Sequence, residues 1–273
     1  MKRLLQLGGP ITLTALAAVS WAGRRAVPEH DGARWPSLAH PLGIDVLGRD
    51  FLGVLAQGAA DFVGPGLLAV VVLLAAVASR SWFATARPVL DEVPRPRGPG
   101  WFLLSAPPRL LVVMLAMLLL DEPSPLAAAA VVTALYLPVA LNEIGARLRI
   151  LQQEQVLAGL VGHGLSAPRI VTRHLLGGHL AEPVQRHGAM LFVQVAFTQI
   201  ALAWVFGAAA ITPGIGVSWG MELKRYAAWV STARSGACLP DVTCGSSVAS
   251  MHSLLLLAAC LVLLGGTLRG QER

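Results

Sequence analysis

The stretch FVGPGLLAVVVLLAAVAS, residues 62–79, decides the fold, because it contains no charged side chain along its whole length. Asp61 precedes it and Arg80 follows it. A helix rises about 1.5 Å per residue, so a segment of this length approaches the roughly 30 Å thickness of the hydrocarbon core of a bilayer. The stretch is therefore predicted to be a transmembrane helix.

Similar apolar runs recur along the chain and indicate a membrane protein. Hydrophobic residues make up 55% of the sequence and charged residues only 13%, whereas an ordinary soluble domain carries about 25% charged residues. A soluble all-α protein would need several buried helices with no charge, which is rare. The sequence predicts an all-α membrane protein in a single domain, 1–273, with six transmembrane helices at about 4–21, 62–79, 104–121, 126–142, 188–211 and 251–268.

Two of these spans differ from the others in sequence. The first resembles a secretory signal, with Lys2 and Arg3 before an apolar run, but we expect it to be retained as a signal-anchor. The third reaches full length only by including two prolines and Arg109. If it failed to insert, every later segment would change sides.

The placement of Lys and Arg predicts that both termini lie in the cytoplasm. With six spans, the segments assigned to the cytoplasm hold twice as many basic residues as the others, as the positive-inside rule requires. Segments 22–61 and 214–250 are then extracytoplasmic, and segment 143–187 is cytoplasmic. Despite the net charge of +6, the basic residues are scattered, so nucleic acid is not an expected partner.

Two cysteines fall in the last extracytoplasmic segment. Cys238 and Cys244 can close a small disulfide loop in an oxidising compartment, which is our prediction, with two free thiols as the alternative. No histidine lies in that segment, so a metal site is not expected there. The chain also has no GxxxxGK[ST] motif for binding ATP.

The segment HPLGIDVLGRD, residues 40–50, contains a proline and two glycines that indicate turns. Its charged side chains Asp45, Arg49 and Asp50 can form local ion pairs, and Asp50 can cap the helix that follows. A solvated loop is the alternative.

The cytoplasmic segment contains two patterns typical of short amphipathic helices, at 148–157 and 167–176, separated by Gly162–Gly164. Arg169 and Arg173 are four residues apart and share a helix face. Such a pair of helices can lie on lipid headgroups or dock into a groove of a soluble partner.

Three stretches together resemble the permease subunits of ABC importers of the dipeptide, oligopeptide and nickel type. The segment at 40–50 is similar to the family's HPLGTDxxGRD. Residues 155–177, with GLSAPRIVTRHLL inside, resemble the EAA loop that contacts the ATPases, and Ser218, Trp219 and Gly220 match an SWG motif after the fifth span. The residues that carry the first motif are His40, Pro41, Gly43, Asp45, Gly48, Arg49 and Asp50.

The resemblance implies the type I permease fold of ABC importers, located in the cell inner (plasma) membrane, with a cytoplasmic coupling helix between spans 4 and 5. The expected partners are a second homologous permease, two cytoplasmic ATPase subunits, an extracytoplasmic solute-binding protein and the lipid bilayer. ATP and magnesium would be bound by the ATPase subunits, so this chain is expected to hold no cofactor, no metal and no catalytic residue. The solute would be peptide-like or another small polar molecule.

Within the EAA-like stretch, the resemblance assigns the turn to Gly164, and Arg169, Arg173 and His174 to the ATPase surface. Ala158, followed by Gly159, occupies the position of the family's glutamate. That departure motivates the alternative function of a degenerate permease that acts as a non-transporting structural or assembly subunit. Trp219 is expected at the membrane interface, where tryptophan is enriched.

Overall fold

The computed structural model describes residues 33–86, 109–119, 124–206, 218–234 and 249–259, together with residue 18. Of these residues, 84% are helical and none belongs to a β-strand. Within the described residues, the prediction of an all-α chain is confirmed.

The helices are numbered here in chain order. The short helix Ala167–Arg169 continues directly into a π-helix, Ile170–His179, which leads into the long helix Ala181–Phe206. The α-helices are α1 (Phe51–Ala86), α2 (Arg109–Leu118), α3 (Pro125–Gln153), α4 (Val156–Gly162), α5 (Ala167–Arg169), α6 (Ala181–Phe206), α7 (Trp219–Arg234) and α8 (Ala249–Ala259).

Three helices, α1, α3 and α6, are long and apolar enough to cross a membrane. They contain the predicted spans at 62–79 and 126–142 and most of the span at 188–211, and they support a membrane protein. Helices α2 and α8 cover parts of the spans predicted at 104–121 and 251–268. The remaining parts of those spans, and the whole span predicted at 4–21 apart from residue 18, lie outside the described residues.

The three long helices pack against one another in pairs and form the centre of the fold. At one crossing, a Cβ atom added to Gly66 of α1 would lie 2.8 Å from the ring of Phe192 on α6, so the missing side chain permits the close approach. One buried apolar cluster, which includes Leu73 and Ile144, joins them along the second half of α1. A second, which includes Phe51 and Tyr226, lies where α1 begins.

Two helices differ in extent from the sequence-based expectation. The prediction of a separate short helix at 148–157 is wrong. Helix α3 continues to Gln153, and the chain then turns at Gln155, whose φ is 56°. Leu148 and Leu151 are buried in the central core, so the apolar face of α3 extends unbroken to this point. Helix α1 begins at Phe51, well before the apolar run, because its first turns are covered by protein.

Candidate functional site

The segment at 40–50, called here the motif loop, has a fixed backbone. Ile44 forms isolated β-bridges with Arg34 on one side and with Asp50 on the other. Gly43 adopts a φ of +81°, and a Cβ atom there would lie 2.6 Å from the carbonyl oxygen of Arg34. Only glycine accepts both that conformation and that contact without strain. The loop is therefore held as one unit against the start of α1.

Asp45 is the centre of this loop. Its Oδ1 atom accepts hydrogen bonds from the backbone N–H groups of Leu47 and Arg49, both at 2.9 Å. Its Oδ2 atom accepts from the Nε and Nη2 atoms of Arg49 at 2.8 and 2.6 Å. Asp45 is fully buried, so protein donors replace water in nearly all of the hydrogen bonds that its carboxylate accepts. The predicted ion pair between Asp45 and Arg49 is present, but it is buried rather than solvated.

The other side of the Arg49 guanidinium reaches Glu222 on α7. Its Nη1 and Nη2 atoms donate to the two carboxylate oxygens of Glu222 at 3.2 and 2.7 Å. Glu222 is fully buried and also accepts from Arg225 at 2.7 Å, while the Tyr226 hydroxyl donates to Asp45 at 3.2 Å. We call Asp45, Arg49, Glu222, Arg225 and Tyr226 the motif ion cluster. Its two arginines balance its two carboxylates.

The electrostatics of this cluster favour its present protonation states. Burial works to lower the pKa of the Arg49 guanidinium, but the hydrogen bonds and charges of Glu222 and Asp45 outweigh it and leave that pKa above its usual value. Burial, with the negative charges of Asp45 and Glu222, raises the pKa of the Tyr226 hydroxyl. Arg49 therefore stays charged and Tyr226 stays a hydrogen-bond donor.

The SWG motif places Trp219 inside the protein, where it packs against other side chains, and its depth relative to the membrane interface stays a prediction. The side chain is 1% exposed, and its indole N–H donates to the Leu55 carbonyl oxygen at 3.0 Å. Its ring lies directly over Gly58 and meets Phe62 edge-on, with 5.0 Å between ring centroids. The glycine at 58 leaves room for the indole, which explains why Trp219 enters the core.

The other two residues of that motif set the start of α7. The Ser218 carbonyl oxygen accepts from the N–H of Glu222 at 3.0 Å, which begins the helix. A Cβ atom on Gly220 would overlap the carbonyl oxygen of Ile200, so the backbones of α7 and α6 touch there. The motif thus fixes α7 against both α1 and α6.

The first turn of α1 joins the motif loop to α8. Asp50 caps α1, as expected, because its Oδ1 atom accepts from the N–H of Leu52 at 3.3 Å. The ring of His252 on α8 stacks on Phe51 with a centroid distance of 3.9 Å. Its Nε2 atom lies 3.0 Å from the Leu42 carbonyl oxygen and must donate to it, since a carbonyl only accepts.

The EAA-like stretch, residues 155–177, is called here the coupling segment. It is anchored by the buried side chains of Leu157, Ile170, Val171 and Leu175. The residues assigned to it by resemblance lie mainly on its surface: the exposed ones are Ala158, Gly159, Gly164, Arg169 and Arg173, and His174 is half-buried.

Gly164 makes the turn between α4 and α5. Its φ is +75°, and a Cβ atom there would contact nothing within 4 Å. The break predicted at Gly162–Gly164 is therefore present, and the requirement for glycine comes from the backbone alone.

A second polar cluster connects the two helices that flank the coupling segment. The Nε2 atom of His187 on α6 lies 3.1 Å from Glu143 of α3, and its Nδ1 atom lies 2.8 Å from the Tyr136 hydroxyl. Arg186 also donates to Glu143. A carboxylate only accepts, so Nε2 carries the proton and a neutral His187 accepts from Tyr136. We call these four residues the α3–α6 brace.

The structure brings together two of the three family-like stretches. The motif loop bonds to Glu222 of α7, and Trp219 of the SWG motif bonds to Leu55 in the first turns of α1. The coupling segment shares a buried apolar cluster with Leu73 and Val77, further along α1. Cys238 and Cys244 lie outside the described residues, so the disulfide stays a prediction. Among the residues that the structure describes, no group of His, Cys, Asp or Glu is arranged to hold a metal ion.

Sequence reasoning missed Glu222 and Tyr226 as partners of the motif loop. A signal was present, because Trp219, Glu222 and Tyr226 are spaced to lie on one helix face. An acidic residue between two aromatic residues on a buried face needs a cation, and Arg49 provides it.

Comparison with known proteins adds no relative: no protein-family model matches the chain, and no curated protein matches it at a significant level.

Proposed function

We propose that the chain is the permease subunit of an ATP-driven ABC importer of the dipeptide, oligopeptide and nickel type, spanning the inner membrane six times. With a second permease it would form the path for a peptide-like or other small polar solute delivered by a binding protein. The proposal rests on the three family-like stretches, since the comparisons supply no relative.

One structural observation carries the proposal furthest. The motif loop and the coupling segment lie at opposite ends of α1, whose 36 residues span about 54 Å at 1.5 Å per residue. An importer needs one end of its permease to face the binding protein and the other to face the ATPases. A continuous helix between the two ends gives a direct mechanical connection.

The mechanism that follows is alternating access driven from the cytoplasm. Closure of two ATPase subunits on ATP and magnesium would move the coupling segment, whose exposed surface presents Arg169 and Arg173. Its buried anchors, Leu157 and Ile170, pack in the central apolar core and would transmit that movement to the long helices. The motif ion cluster would keep α7 and the motif loop together during the movement.

The test is ATP hydrolysis by the complete complex in proteoliposomes, with binding protein and solute present. Replacing Arg169 and Arg173 together by Glu should abolish stimulated hydrolysis, because two exposed cations on one face become anions. The matched control is Arg34→Glu, an exposed charge at the other end of the molecule, which should leave coupling to the ATPases intact. Unchanged stimulation in the double variant would contradict the assignment.

A structural or assembly subunit is the second candidate, favoured by the surface of α4. Ala158 and Gly159 are exposed there, so this part of the surface offers an ATPase no charged side chain. Purification of the chain from its native membrane in mild detergent, followed by mass spectrometry, separates the two candidates. Recovery of a second permease, P-loop ATPases and a binding protein would support the importer, and an assembly without ATPases would support the alternative.

A further inference from the structure

Arg80 on α1 occupies an unusual position against α3. Its guanidinium lies over the backbone of Gly145, where an added Cβ atom would overlap Nη2 and would lie 2.8 Å from Nε. The side chain is half-buried. Glycine at 145 is what allows the guanidinium to reach this groove between the two helices.

A second guanidinium meets Arg80 at the same glycine. The Nε atom of Arg149 donates to the Gly145 carbonyl oxygen at 3.3 Å, and the positive charge of Arg149 acts on Arg80. Among the described residues, neither arginine has a carboxylate within ion-pair distance. Glu143, two residues before Gly145, is bound instead by Arg186 and His187. Within the part of the chain that the structure describes, two like charges therefore converge without an anion.

The surface of α1 indicates where this pair lies relative to lipid. Exposed apolar side chains, among them Leu67, Val71 and Leu74, cover the middle of the helix. Immediately after Arg80 come Trp82, 47% exposed, and Phe83, 69% exposed. Tryptophan, like tyrosine, is enriched at the level of lipid headgroups in membrane proteins. We therefore expect the two arginines to lie at the height of the phosphate groups.

We propose that Arg80 and Arg149 form a binding site for the phosphate of an anionic phospholipid headgroup. Guanidinium groups bind phosphate oxygens through paired hydrogen bonds, and a shared phosphate would relieve the repulsion between the two cations. The exposed apolar side chains of α1 would receive the acyl chains. This site is independent of the proposed transport function, because it requires neither an ATPase nor a solute.

The experiment is native mass spectrometry of the purified full chain with phosphatidylglycerol, phosphatidylcholine or inorganic phosphate added at equal concentration. We expect the wild type to retain phosphatidylglycerol in preference to the other two. An arginine near the membrane surface contributes about 1 kcal/mol to anionic lipid binding, so Arg80→Gln/Arg149→Gln should weaken phosphatidylglycerol binding by roughly thirtyfold.

Three variants make the result specific. Arg147→Gln is the matched control, because Arg147 is exposed on the same end of α3, and it should change binding by less than the double variant. Arg80→Lys keeps the charge without the planar fork and should bind at an intermediate level. Gly145→Ala keeps both charges but displaces the Arg80 guanidinium, and it should weaken binding. Size-exclusion chromatography verifies that each variant is folded.

Several outcomes would overturn the proposal. Equal retention of phosphatidylglycerol and phosphatidylcholine would show that the headgroup charge is not recognised. Equal binding of inorganic phosphate would assign the site to a free anion rather than to a lipid. An Arg147→Gln effect as large as that of the double variant would indicate general surface attraction instead of a site.

Discussion

At the scale of single residues, Arg49 has the most consequential position in the molecule. Its guanidinium bonds to two fully buried carboxylates, Asp45 and Glu222, which lie on segments far apart in the chain. A buried ion pair contributes little compared with apolar packing, but removing one partner leaves an uncompensated charge. Arg49 faces two such charges at once.

We expect Arg49→Met to destabilise the folded chain by about 3–5 kcal/mol, because both carboxylates lose their main cation. Thermal unfolding of detergent-purified protein, followed by size-exclusion chromatography, measures the effect. Arg34→Met is the control, since Arg34 lies in the adjoining segment but its side chain is exposed. Equal melting temperatures for the two variants would show that the ion cluster has no structural role.

The ionisation of Tyr226 can be followed by the absorbance of tyrosinate. The chain has two tyrosines, Tyr136 and Tyr226, so this signal comes from few groups. The folded-state pKa of Tyr226 is raised above its usual value of about 10. Folding therefore favours the protonated hydroxyl. This contribution to stability is present below pH about 10 and is lost as the pH rises towards the folded-state pKa, since the unfolded chain ionises first.

The absorbance of tyrosinate tests this expectation. Subtracting the alkaline titration of Tyr226→Phe from that of the wild type isolates Tyr226. In the folded protein, the difference in tyrosinate absorbance should stay constant as the pH passes the usual tyrosine pKa. After denaturation, the same difference should rise at that pH. A rise near pH 10 before unfolding would mean that Tyr226 is exposed to solvent.

At the scale of elements, the coupling segment depends on one turn. Gly164 joins α4 to α5 with a positive φ and open space around it. An alanine there would meet no neighbour, so its cost would come from the backbone alone, about 1–2 kcal/mol for an L-residue in the left-handed region. Gly159 is also surrounded by open space, but it lies within α4 at an ordinary φ.

We therefore expect opposite effects from two chemically identical substitutions. Gly164→Ala should increase the hydrogen exchange of residues 156–174, whereas Gly159→Ala should decrease it within α4, because alanine favours helix over glycine. Hydrogen exchange followed by mass spectrometry in detergent measures both. Similar exchange in the two variants would contradict the left-handed turn.

The α3–α6 brace acts on the same segment from its base. Glu143 accepts from His187 and Arg186, so Glu143→Gln weakens the connection between the two helices that enter and leave the coupling segment. We expect faster exchange along residues 154–180. Glu182→Gln is the control, because Glu182 lies in the first turns of α6, as Arg186 and His187 do, but its side chain is exposed. An effect confined to Tyr136 and His187 would show that the brace is only local.

At the scale of the whole molecule, the two ends of α1 should face opposite compartments. Leu38 beside the motif loop and His163 beside the coupling segment are both exposed. In a background without other cysteines, Leu38→Cys should react with an impermeant maleimide from outside the cell. His163→Cys should react only in inverted vesicles. Labelling of both from one side would contradict the proposed topology.

The apolar runs allowed the long helices to be predicted, because a bilayer imposes a simple requirement on length and charge. They did not reveal that α1 begins at Phe51, since its first turns are buried by α7 and α8 instead of lipid. The motif loop was recognised, but its partner Glu222 was not. That pairing depends on the tertiary fold, which brings together two segments that lie far apart in the chain.

The separation between Arg49 and Glu222 also has a consequence for biosynthesis. Their bond joins residues 173 positions apart, so it cannot form until α7 has been synthesised. Until then, Asp45 and Arg49 have each other but lack the second carboxylate, and the motif loop is not yet enclosed. The cluster therefore closes late in synthesis. In a chain that ends before α7, the charged groups of Asp45 and Arg49 would stay exposed, and cellular proteases and chaperones could recognise them.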